Sequence, residues 1–143
     1  MTLHLIKLCV GVDTVEELAA WQKKRIADLK KKKKPLELMH ITRAMPKRAE
    51  EVLEGGSLYW VIRGQIAVRQ RILDLKPVTK NDGPHCGIVY EPKLVPVKRR
   101  HHRAFQGWRY FDPQDAPPDL HIPKGGKGLP EVLQAELVTL GLL

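Results

Sequence analysis

Residues 55–75, GGSLYWVIRGQIAVRQRILDL, constrain the fold more than any other part of the chain. β-Branched and aromatic residues fill two runs on either side of Gly64, so the stretch reads as strand, turn and strand. With Gly64-Gln65 as a two-residue type II′ loop, the register follows. Ile62 then lies opposite Ala67, Trp60 opposite Arg69 and Leu58 opposite Arg71, with Val61 beside Val68 behind them. Cross-strand partners share a face, so Arg69 and Arg71 would join apolar anchors on one side of the hairpin. A slip of one residue would exchange the faces.

The rest of the chain reads as cover for this hairpin. Residues 3–10, LHLIKLCV, form a near-continuous apolar strand interrupted by His4 and Lys7, the pattern of a strand central in its sheet. Thr14 and Glu17 make a capping box that opens a helix, with Val15, Leu18, Trp21, Ile26 and Leu29 as its apolar stripe. Five lysines at 30–34 follow, until Pro35 stops the helix. Residues 36–42 alternate as a further strand, with Leu36, Leu38 and His40 on one side. Pro46 marks the start of a short helix that Gly55-Gly56 closes as a left-handed cap. Residues 76–84, KPVTKNDGP, read as turn chemistry. Cys86, Ile88 and Tyr90 then alternate in a strand, and Pro92 and Pro96 place its continuation at an edge or bulge. Residues 112–128 read as a Pro- and Gly-rich loop anchored by Leu120 and Ile122. A last helix starts at Pro130 with a leucine-rich stripe whose thin polar face fits a tertiary contact or a homodimer.

These elements predict a single α+β domain over residues 1–143, with a mixed, mostly antiparallel sheet and the first and last helices packed outside it. A chain of 143 residues with 43% hydrophobic content buries a core without disulfide or metal staples. Cys9 and Cys86 sit in apolar strand runs and read as reduced, buried thiols. The opening MTLHLIKLCVGVD has neither a basic leader nor a small-residue cleavage site, and no stretch approaches the roughly 18 apolar residues of a membrane span. The expectation is a cytoplasmic protein with no membrane partner.

The net charge of +9 favours a polyanionic partner. Arg63, Arg69 and Arg71 stand on the hairpin. Lys98, Arg99, Arg100 and Arg103 form a second cluster, and Trp108, Arg109 and Tyr110 follow directly. Cations neutralise phosphates and aromatic faces stack unpaired bases, so this set points to RNA or another single-stranded nucleic acid. Arg69 over an indole is the structural alternative. His85, Cys86, His101, His102 and His121 lack metal-ligand spacing, and no cofactor is implied. Cys86 beside His85 does not make a nucleophile and base, because strand neighbours point to opposite faces. Gly125, Gly126 and Gly128 lack the P-loop pattern.

The runs GGSLYWVIRG, RQRILDL, FQGWRY and DAPPDL, following LHLIKLCVG, resemble a family of small basic bacterial proteins of unknown function. That resemblance spans nearly the whole chain and implies no reaction, cofactor or binding residue. A glycine-closed helix, a strand and then a basic strand ending Arg-Ile-Leu-Asp also resemble the opening of PUA-like and ASCH-type β-barrel domains. This second likeness implies a closed barrel that binds RNA or modified nucleotides. The function expected is non-catalytic RNA or nucleotide binding. The alternatives are an enzyme acting on a nucleic acid or nucleotide, and a protein-interaction module using the last helix.

Overall fold

A computed structural model describes residues 2–120 of the chain. The helix expected from Pro130 to near Gly141, the glycines at 125–128, His121 and Ile122 lie outside the described residues. The elements are β1 (His4–Leu8), α1 (Val15–Lys31), β2 (Leu38–Thr42), α2 (Ala49–Leu53), β3 (Ser57–Ile62), β4 (Gln65–Lys80), β5 (Gly83–Tyr90), β6 (Val95–His101) and β7 (Trp108–Phe111), followed by a 3-10 turn at Pro113–Asp115. The strands form one mixed, mostly antiparallel sheet in the order β2-β5-β4-β3-β1-β7, with β6 added beside β4. β1 is central, parallel to β3 and antiparallel to β7.

β4 organises this sheet by serving two sets of partners. Residues 65–71 pair with β3, and β6 joins the same half on its other side. Residues 72–80 pair with β5, which passes the sheet on to β2. The register shifts between Ile72 and Asp74, where a bulge lets one strand turn a corner. The sheet therefore curls, and His40 on β2 meets Trp60 on β3 edge to face at 5.5 Å. Its two ends, β2 and β7, share no ladder, so the described residues do not form a closed barrel. A side chain bridges β7 instead to the segment just after β2, the Trp108 indole N–H donating to the Ala44 backbone carbonyl at 2.7 Å.

The hairpin forms, with a different turn and register from those expected. Arg63 and Gly64 are its two turn residues, with φ of +49° and +76°. Two positive φ values define the type I′ turn, whose twist matches the flanking strands. Ile62 pairs with Gln65 and Val61 with Ile66, and a bulge at Ala67 then sets Trp60 opposite Val68 and Tyr59 opposite Arg69. Arg69 and Arg71 accordingly share a face with Tyr59 and Ser57, not with Trp60 and Leu58. All six residues of β3 are buried, because both faces of the curled sheet are covered.

Inside the curl, Leu5, Leu58, Trp60, Val68, Ile72, Ile88 and Tyr90 pack with Val15, Leu18 and Ala19 of α1. Outside it, Ile6, Tyr59, Val61 and Ile66 are covered by Val97, Phe105 and Phe111. Each such side chain contributes about 1.5–3 kcal/mol by leaving water. At the inner centre the Gln22 and Gln70 amides exchange hydrogen bonds of 2.9 and 2.8 Å, and Trp60 Nε1–H donates to Gln70 Oε1 at 2.9 Å. No described buried side-chain polar atom is left without a partner.

Other expectations are met in part and corrected in part. Thr14 caps α1 by accepting from the Glu17 amide, while the Glu17 carboxylate accepts from the Asp13 amide. The buried stripe of α1 takes Gln22 in place of Trp21, which is 53% exposed, because Gln70 gives the amide a partner. Residues 76–80 continue β4, leaving only Asn81-Asp82 as the turn; Pro77 is tolerated because that half of the strand pairs on one side alone. α2 begins three residues beyond Pro46, with Gly55 at φ +87° ending it. At Gly56 a Cβ would run into the Leu3 and Val52 carbonyls, so glycine is required there by space. Cys86 is buried, but Cys9 is only half-buried, in the wall of a cavity at the end of β1.

Candidate functional site

The curl leaves two depressions at one end of the sheet, and Lys7 lines both. The first is a cavity of about 300 Å³ walled by Trp21, His40, Trp60, Tyr90 and the backbone turn after β1. The second is a more open groove of about 570 Å³ between the ends of β2 and β4 and the loop before β7, edged by Lys7, Thr42, Arg43, Lys80 and His85. Neither is lined by a carboxylate. Asp82 lies nearby, 3.5 Å from both Arg43 and His85, and offsets part of that positive charge.

The backbone explains this convergence. Alternation along β1 points Leu5, Lys7 and Cys9 into the curl, and Lys7 is paired across to Trp60 on one side and Trp108 on the other. Alternation on β2 likewise sends Leu38 and His40 inward. Trp60 meets Tyr90 edge to face at 6.1 Å, and its N–H is spent on Gln70, so only ring surface remains to face the cavity.

Burial sets the protonation states. It lowers the Lys7 ammonium below the usual lysine range, with weak opposition from Cys9. It pushes His40 down to about 4, Lys7 adding to the effect, so the imidazole is neutral at pH 7. Cys9 is raised to about 11 by burial against the pull of Lys7, and Tyr90 to about 12 by burial and Cys9 against a Gln22 hydrogen bond. The cavity therefore offers aromatic faces, a neutral imidazole, a thiol and a phenol, with one ammonium at its junction with the groove. Among the described residues, no hydrogen-bond or ion-pair partner meets the side chain of Lys7 or of His40, whose imidazole meets only the Trp60 ring edge to face.

The ten residues singled out from the sequence lie elsewhere, and most already have structural partners. Arg69 grips Asp119 with two bonds of 2.7 Å and donates to Ser57 at 3.0 Å. That pairing holds the arginine pKa up and the aspartate pKa down. Arg63 is exposed in the turn and Arg71 on the strand beyond it. On β6, Lys98 and Arg100 are exposed and Arg99 is half-buried, with Arg100 donating to the Asp115 carbonyl. Arg103 is exposed in the loop, and Arg109 lies over the Phe105 ring at 4.9 Å. Trp108 and Tyr110 stack edge to face at 4.9 Å and tie β7 to residues 44–48, the Tyr110 hydroxyl accepting from the Arg48 amide at 3.0 Å. None of the ten lines either depression. Sequence reasoning did not assemble Lys7, His40, Arg43 and Lys80; its one signal was a lysine interrupting an apolar central strand.

The described residues thus make an α+β protein, a curled, mostly antiparallel sheet of seven strands with an aromatic cavity and a cationic groove at one end. The chain belongs to the family described as "protein of unknown function (DUF1489)", whose model matches residues 5–143. No curated protein and no solved structure matches it. No described helix is long and apolar enough to cross a membrane.

Proposed function

We propose that this protein is a cytoplasmic RNA- or nucleotide-binding protein that takes an unpaired base into the aromatic cavity and its phosphate onto Lys7, Arg43 and Lys80. The observation that carries the reading is Lys7 itself, an ammonium without a carboxylate partner among the described residues, standing where an aromatic cavity opens into a basic groove. Aromatic walls accept the faces of a base, and cations neutralise the phosphate attached to it. The cavity volume is at the lower end for small-molecule sites and suits one base better than a duplex end. The finer architectural reading, a sheet of PUA-like kind, belongs to the same proposal and is supported by the approach of β7 to the segment after β2. The exposed Arg63, Arg71, Lys98, Arg100 and Arg103 add long-range attraction for the same polyanion.

The test is a fluorescence titration of the full chain with labelled single-stranded RNA and with a labelled mononucleotide, at two salt concentrations. Binding that weakens steeply with salt and is lost on replacing Lys7 and Arg43 together supports the reading. An absence of affinity for either probe at low salt overturns it. A second reading, an enzyme acting on a nucleic acid or nucleotide, is favoured by the desolvated Lys7, because a lysine deprived of hydration is a ready base or nucleophile. Product analysis after prolonged incubation with the bound probe separates the two.

A further inference from the structure

Trp21 is 53% exposed on α1, although a tryptophan at that helical position was expected in the core. It walls the aromatic cavity on one side and, on the other, a shallow depression of about 320 Å³ edged by Lys24, Arg25 and Asp28. Residues 21, 24 and 25 are one helical turn apart and share a face, so an indole and two cations stand side by side just outside the cavity. Asp28 at the far end opposes them, and the exposed lysines at 30–34 follow.

We infer that the occupant of the cavity is one nucleotide of a longer single strand, whose next base stacks on Trp21 and whose next phosphates lie on Lys24 and Arg25. The inference rests on the proposed function and extends it by naming the ligand as an oligonucleotide. An exposed indole face with adjacent cations is the arrangement that binds successive unpaired bases, while a free nucleotide would have no use for it. A duplex is excluded as the preferred ligand, because its bases present no faces either to the cavity or to the indole.

The experiment compares affinities of the full chain for adenylate homopolymers of one and six nucleotides and for a six-base-pair duplex, with W21A and K24A/R25A variants alongside. The wild type is expected to bind the six-mer at least tenfold more tightly than the mononucleotide and more tightly than the duplex. W21A should lower the six-mer to mononucleotide affinity ratio by roughly five- to a hundredfold. K24A/R25A should lower the salt slope for the six-mer by about one to two. Thermal melting of each variant separates lost binding from lost folding, and the exposed Lys24 and Arg25 keep the test valid if W21A is unstable. Equal affinity for one and six nucleotides, or ratios and slopes unchanged in both folded variants, overturns the strand path while leaving the cavity reading intact. Failure of the wild type to bind any probe overturns both.

Discussion

Replacing Lys7 with Met keeps the length and apolar stem of the side chain and removes its ammonium. Burial lowers the folded-state pKa of Lys7, so the folded protein holds the charged form less well than the unfolded chain does. At neutral pH the variant should therefore be more stable. Half-exposure screens much of the effect, so the variant should melt above the wild type by a small margin. The sign can be checked with pH: the gain should shrink as pH rises towards the ordinary lysine value of 10.5, where both states of the wild type become neutral. Binding should move the other way. Losing one charge-assisted phosphate contact costs about 1.5–3 kcal/mol, roughly ten- to a hundredfold in Kd. Thermal melting and a salt-dependent titration with single-stranded RNA on the same preparation measure both quantities. A variant that melts lower and binds as the wild type does would refute the reasoning and make Lys7 a structural support.

Three further outcomes are expected. Gln70→Leu strands the Gln22 amide and the Trp60 N–H in the inner core, so urea denaturation should show a loss of about 2–4 kcal/mol; a loss below about 1 would refute the role of that network. His40, with a folded pKa of about 4, binds its proton less readily in the folded state than in the unfolded one. Its contribution is intact above about pH 6.5 and lost as pH falls towards 4, amounting to roughly 2 kcal/mol after allowing for screening at the open cavity. His4, whose Nδ1 accepts from the Ser57 amide, adds in the same direction, and a His40→Phe variant should flatten the acid limb of the stability curve. Arg69→Gln should cost about 1 kcal/mol through the lost Asp119 pair, while Arg71→Gln should change stability by less than about 0.5, both read from denaturant midpoints.

Local chemistry decided much of this protein from its sequence alone. The Thr14 cap, the glycine ending α2 and the apolar runs of β1, β3 and β5 each depend on neighbours within a few residues, and all were legible there. Family membership was legible for the same reason, since it rests on short runs of residues. The hairpin register was not. It turned on whether Arg63 or Gln65 joins Gly64 in the turn and on a bulge at Ala67, choices set by packing on both faces of β3. β4 passes through a proline because only one of its sides is paired there, and pairing is a tertiary fact. β7 is recognisable as a strand only beside β1, about a hundred residues earlier in the chain. The candidate site belongs wholly to this second kind: Lys7, His40, Arg43, Lys80 and Tyr90 come from four strands and one loop, and only the curl of the sheet at the β4 bulge brings them to one end. A basic sequence sets the net charge, but burial and curvature decide which of its cations stand at the cavity and the groove.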